Sequence, residues 1–197
     1  YESLDHVEEI IKNNPDVIVI VDEAYIDFGG ETALPLIDKY DNLVVVRTFS
    51  KSRSMAGLRI GYAISNPELI KALNDVKYSY NSYTMNRPSL VLGVESIHDD
   101  AYFREKVGQI IATRERFVKE IAELGFTCLP SSANFVFATH ESIPAKEIFA
   151  AAKENNIYVR YFDKPRIDNY LRISIGTDAE MDTFVAFLKG YVETKQN

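Results

Sequence analysis

The chain has 197 residues, a net charge of −7 and a hydrophobic fraction of 46%. That length allows one large domain or two small ones, and the composition is that of a globular protein able to build a core. The acidity argues against nucleic acid or an anionic membrane as partner and reads as solubility, and no apolar run approaches the roughly 20 residues that cross a bilayer.

In chain order, Leu4, Val7, Ile10 and Ile11 recur at helical spacing behind a capping Ser3, and Asn13-Asn14-Pro15 ends that helix. Val17 to Val21 is a continuous apolar run, expected of a strand covered on both faces in a parallel sheet. Asp22 and Glu23 stand at its carboxyl end, the edge where open α/β sheets bind ligands. They read either as loop carboxylates or as buried groups that need a partner. Phe28-Gly29-Gly30 is a turn, Leu34 to Tyr40 a short predicted helix, and Leu43 to Val46 a second strand. A strand, helix, strand unit is right-handed and sets both strand ends on one edge. The run Ile60 to Ile64 follows too soon for a helical crossover and is expected to run antiparallel or as a tight return.

Asn66-Pro67-Glu68 opens a helix through about Tyr78. The loop Tyr78 to Asn86 is rich in tyrosine and asparagine but lacks the basic stripe of a single-strand stacking platform. Leu90, Val91, Val94 and Ile97 mark a helix within Pro88 to His98. Tyr102 to Leu124 is one amphipathic helix that Gly125 stops. Strands follow at Phe126 to Leu129, Asn134 to Ala138, Ile157 to Phe162 and Leu171 to Ile175. Helices lie at Pro144 to Asn155 and Ala179 to Val192, the last capped by Thr177-Asp178. The expected class is α/β: residues 1–101 form a mostly parallel sheet layer, and residues 102–197 a small α+β domain that includes the long helix.

Cys128, the only cysteine, excludes an internal disulfide and fits a reducing compartment. It lies in an apolar stretch and reads as packed rather than reactive. His6, His98 and His140 lack metal-ligand spacing, and neither a GxSxG nor a P-loop motif occurs. The chemistry concentrates in Asp41 to Tyr62, DNLVVVRTFSKSRSMAGLRIGY. Lys51 sits at a strand mouth, hydroxyls precede it, and Arg53 and Arg59 follow. Neighbouring positive charge and desolvation both disfavour an ammonium, and a neutral amine is the nucleophile that carbonyl chemistry needs. Hydroxyls beside an arginine suit a phosphate monoester.

The ordered set D-E-A-Y at Asp22 to Tyr25, T-F-S-K at Thr48 to Lys51 and G-L-R-I-G-Y at Gly57 to Tyr62 is highly specific. It resembles the fold-type I pyridoxal-phosphate aminotransferases, and within them the histidinol-phosphate aminotransferase family. The resemblance implies pyridoxal 5'-phosphate as cofactor. It implies that Lys51 bonds it, that Ser50 and Arg59 grip its phosphate, that Asp22 pairs with its ring nitrogen and that Tyr25 meets its phenolic oxygen. Arg53 reads as a phosphate neighbour or an exposed loop residue, and Thr48 as packed or donating. Arg172, in L-R-I, matches the arginine that forks onto a substrate carboxylate. Arg160 reads as a ligand for a phosphate on the substrate or as a paired strand residue. Asn134, in S-A-N-F, reads as a substrate neighbour or a turn residue.

The implied activity is transamination between histidinol phosphate and 2-oxoglutarate in histidine biosynthesis. The implied enzyme is a cytoplasmic homodimer acting on small molecules. A threonine-phosphate decarboxylase-like enzyme and a non-catalytic fragment are the alternatives. The chain begins without Met, inside a helical pattern, and the resemblance covers only the C-terminal part of such an enzyme. A fragment, weakly active or inactive alone, is therefore expected, with a processed start as the other reading.

Overall fold

A computed structural model describes residues 1–196, and the chain divides into two compact units, Tyr1–Glu105 and Lys106–Asn197. In the first unit, Ser3 caps α1 (Leu4–Asn13) by accepting the His6 amide at 3.3 Å. Strands β1 (Val19–Asp22), β2 (Leu43–Thr48) and β3 (Gly61–Ile64) follow in spatial order β1-β2-β3. β1 and β2 are parallel, with Val19 opposite Leu43 and Asp22 opposite Val46. β3 returns antiparallel to β2, as its short connection requires. Ile11, Ala33, Leu36, Leu43 and Val45 form the core of this unit.

Two expectations are corrected here. The β1 region is not covered on both faces. Val19 and Val21 pack on the core, whereas Ile18 and Ile20 are 54% and 64% exposed. β1 is an edge strand whose second face meets solvent. The predicted helix at Leu34 to Tyr40 is a 3-10 turn, Leu34–Leu36. The Leu36 carbonyl takes both the Lys39 and Tyr40 amides at 3.0 Å, which closes the segment before a costly helix nucleus can propagate.

Helix α2 (Pro67–Tyr80) is capped by Asn66, whose side chain accepts the Leu69 amide, and it has no buried residue. It takes in the first residues of the expected loop. Helix α3 (Arg87–His98) approaches the sheet through Gly93, where a Cβ would lie 2.9 Å from Ile60 Cδ1. A larger residue there pushes the helix off Ile60 and Phe49.

Helix α4 (Asp100–Ala122) leads into the second unit and ends before Gly125, whose φ of +86° suits glycine. There β4 (Phe126–Cys128), β5 (Phe135–His140), β6 (Arg160–Tyr161) and β7 (Leu171–Ser174) form an antiparallel sheet in the order β4-β5-β7-β6. Helices α5 (Ala145–Glu154) and α6 (Asp178–Gln196) complete the α+β arrangement. The strand expected at Ile157 to Phe162 shrinks to two residues. The Asn155, Asn156 and Ile157 amides are taken up in closing the end of α5, with Ile157 donating to the Ala152 carbonyl at 2.9 Å. Glu180 and Thr177 cap α6 reciprocally, the Thr177 amide donating to the Glu180 carboxylate at 2.7 Å. Fifteen buried residues, including Phe117, Ile121, Phe184 and Leu188, make one continuous core. Cys128 packs against it, and burial pushes its thiol up to about 11, so it stays protonated at neutral pH.

Candidate active site

Parallel strands bring their carboxyl ends to the same edge, and in the first unit that edge carries Asp22 on β1 and the Thr48–Lys51 segment beyond β2. The last backbone bond between the two chains runs from the Glu23 amide to the Val46 carbonyl at 2.9 Å. Asp22 is exposed, and its Oδ1 accepts the Ala24 amide at 3.0 Å. Glu23 is the buried acid of the pair. Its carboxylate accepts from Arg47 Nε and Nη2 at 2.9 and 2.8 Å, from the Ala33 amide at 2.6 Å and from the Thr32 hydroxyl. Burial works against the Arg47 charge, but Glu23 and Tyr62 together more than offset it, holding the guanidinium above its ordinary value. Breaking such a pair leaves one charge buried and alone, at a cost of about 3–5 kcal/mol.

Lys51 is half-buried, and its Nζ lies 5.4 Å from the centre of the Tyr25 ring. That is a cation–π distance, and it brings together two residues expected to share a site. Next to Lys51, Ser52 is buried and its hydroxyl donates to Asp27 Oδ2 at 2.5 Å. Thr48 Oγ1 lies 2.9 Å from Ser50 Oγ and 3.1 Å from the Ile60 carbonyl, and accepts the Ser50 amide. The Thr48 hydroxyl therefore shapes the loop that presents Ser50. Arg59 is exposed, has a left-handed backbone with φ of +57°, and donates to the Ala56 carbonyl at 2.9 Å. Its turn carries the chain from the 3-10 turn Ala56–Leu58 into β3.

Of the two arginines expected beside the lysine, Arg53 is engaged elsewhere. Arg53 donates to the Ser96 carbonyl and stands 5.3 Å and 4.1 Å from the Phe49 and Phe103 rings. It is not a loose surface cation but a clamp between the lysine loop and α3.

The other predicted residues lie in the second unit. Arg160 and Arg172 are direct cross-strand partners on β6 and β7. Both are exposed, each guanidinium sits 5.3 Å from an aromatic ring, Phe162 and Phe135 respectively, and neither forms a salt bridge among the described residues. On β7, Leu171 and Ile173 enter the core while Arg172 and Ser174 face outward. Asn134 stands just before β5, and its main-chain carbonyl accepts the Ile175 amide at 2.9 Å. The preceding Ala133 carbonyl is held by Arg114 of α4 at 2.8 Å.

Glu23, Arg47, Asp27 and Ser52 escaped the sequence reading as a set. One signal was present: an arginine at the end of the buried run Leu43 to Val46 demands a carboxylate. Among the described residues no cluster of three or more His, Cys, Asp or Glu side chains is arranged to hold a metal, and no helix is long and apolar enough to cross a membrane.

The family model for aminotransferase class I and II matches residues 2–188. The chain belongs to the aminotransferase class I and II family. It is 53% identical over 188 residues to a histidinol-phosphate aminotransferase of Brachyspira hyodysenteriae, a match covering 95% of this chain and 53% of that protein. The crystal structure of histidinol-phosphate aminotransferase from Clostridium acetobutylicum superposes with a TM-score of 0.87 at 25% identity, covering 96% of this chain and 59% of that one. The enzyme from Sinorhizobium meliloti, solved in complex with pyridoxal-5'-phosphate, superposes with a TM-score of 0.85 at 27% identity, covering 98% and 54%. The chain thus spans about half the length of the aminotransferases it matches, and its two units are a partial aminotransferase fold of mixed α/β class.

Proposed function

We propose that this chain forms the cofactor-lysine and substrate-arginine part of a pyridoxal-phosphate-dependent transaminase working between histidinol phosphate and 2-oxoglutarate in histidine biosynthesis. The observation that carries the reading is the Lys51 amine over the Tyr25 ring, on the sheet edge where β1 ends in Asp22. The donor set fits the cofactor. Asp22 offers an exposed carboxylate to a protonated ring nitrogen, Tyr25 a phenol to the ring oxygen, and Ser50 and Arg59 a hydroxyl and a guanidinium to the phosphate. Pyridoxal phosphate supplies, when bound, an electron sink for the pair left at the substrate carbon. Lys51 Nζ would hold the cofactor through its aldehyde and, once displaced by the substrate amine, would take the proton released at the substrate Cα and hand it on to the cofactor, as transamination requires.

In the second unit, like charges directly opposite across a ladder are unfavourable, and the Arg160–Arg172 pair stands in that relation. An anion with several oxygens, the phosphate or carboxylate of a small-molecule substrate, relieves it. Asn134 belongs to the same substrate group in this reading. Residues 1–101 then correspond to the C-terminal part of the cofactor-binding domain and 102–197 to the small domain. The complete enzyme is read as a cytoplasmic homodimer, with neither nucleic acid nor membrane as partner. Full activity belongs to an assembly with the length of the relatives, and this chain alone is expected to be weakly active or inactive.

The test is to incubate the chain with pyridoxal phosphate, reduce with borohydride and locate the pyridoxyl group by peptide mass. The expected result is labelling at Lys51 that Lys51→Ala abolishes. A pyridoxyl group fixed only at other lysines overturns the reading. In the full-length assembly, carbon dioxide release in place of keto-acid formation assigns the decarboxylase alternative.

A further inference from the structure

Beyond the Glu23–Val46 backbone bond, the two chains leaving β1 and β2 have no ladder between them. Three side-chain contacts cross the gap instead. Arg47 meets Glu23 at 2.8 Å, Lys51 meets the Tyr25 ring at 5.4 Å, and Ser52 meets Asp27 at 2.5 Å. The partners advance together along both chains, so these contacts continue the pairing of the two strands in side chains. The first is enclosed and structural. The second contains the proposed cofactor lysine. The third is placed to control it, because Ser52 is covalently next to Lys51 and only 6% exposed. The Lys51 carbonyl is also held, by the Ser54 amide at 3.1 Å.

We propose that Asp27 and Ser52 are positioning residues. Asp27, acting through the Ser52 hydroxyl, fixes the lysine loop against the 3-10 turn Ile26–Phe28 and so holds the Lys51 amine over Tyr25. A buried hydroxyl needs an acceptor, and a carboxylate acceptor gives a shorter and stronger bond than a neutral one. Among the described residues Asp27 makes no other side-chain hydrogen bond or ion pair, so the carboxylate has no separate task in the core. This inference rests on the reading of Lys51 as the cofactor lysine.

The experiment measures trace labelling of lysine amines with acetic anhydride, read peptide by peptide, with Lys12 and Lys119 as internal references. Thermal unfolding is followed in parallel. Losing one charge-assisted hydrogen bond should raise Lys51 labelling about 3–10-fold in Ser52→Ala. Asp27→Asn, which keeps the shape and the exposure, should give a smaller rise in the same direction. Ser52→Thr, which keeps the hydroxyl, should restore the parent value. The reference lysines should not change. The proposal is overturned if Lys51 labelling in Ser52→Ala and Asp27→Asn moves no more than the references. It is equally overturned if Lys51 labelling merely follows the unfolding temperature and Ser52→Thr fails to rescue it. A positive labelling result combined with no pyridoxyl at Lys51 in the parent chain removes the cofactor reading and leaves the positioning role standing.

Discussion

The second unit encloses its apolar side chains, whereas the first leaves many of them outside. Fifteen buried residues close the core around β5, β7 and α6; five form the core beside β1 and β2. Helix α2 buries nothing, α3 exposes Leu90, Val91 and Val94, and β1 exposes Ile18 and Ile20. The proposed cofactor residues all lie on this less enclosed unit. Two polar cross-links, Glu23 to Arg47 and Asp27 to Ser52, tie together the segments that carry them.

The comparison breaks most visibly in the core of the second unit. Phe117 is fully buried and stacks on Phe184 at 5.9 Å between ring centres. Phe117→Ala should cost about 3–5 kcal/mol in denaturant unfolding of that unit. A loss under about 1 kcal/mol would show that its core is no tighter than the first unit's.

Acid sharpens the contrast next. The Thr113 hydroxyl and then Arg116 hold Asp178 below the ordinary carboxylate value of 3.8. A depressed folded value gives stability that is present above the unfolded value and lost as pH falls through the folded one. Thr113→Val removes the leading cause, so the drop in urea midpoint between neutral pH and pH below about 4 should shrink. An unchanged acid response would place the coupling elsewhere.

The smallest effect is expected on the open face of the first unit. Ile20→Lys should change unfolding stability by no more than about 0.5 kcal/mol while reducing self-association in light scattering. A loss of several times that size would mean that the face is already enclosed.

Local chemistry was legible along the chain. Ser3, Asn66 and Thr177 cap the helices that their positions predict, and the short connection before β3 forces the antiparallel return. The residues of the D-E-A-Y and T-F-S-K segments come to one sheet edge because two apolar runs pair in parallel. What stayed illegible lies across space. Apolarity alone could not tell that Val19 and Val21 meet a core while Ile18 and Ile20 do not. The Leu34 to Tyr40 pattern looked helical because periodicity ignores the cost of nucleating so short a segment. The Glu23–Arg47 and Asp27–Ser52 pairs join residues 24 and 25 positions apart, a separation at which spacing carries no signal.

The paired arginine positions of β6 and β7 reverse an ordinary solvent effect. Dissolved ions weaken exposed pairs of opposite sign, such as Lys71 with Asp75 on α2, because the screening length falls to about 10 Å at 0.1 M salt. Between Arg160 and Arg172 the same screening relieves repulsion. Moderate ionic strength should therefore tighten the edge of this sheet, and a multivalent counter-ion should tighten it more than chloride at equal ionic strength.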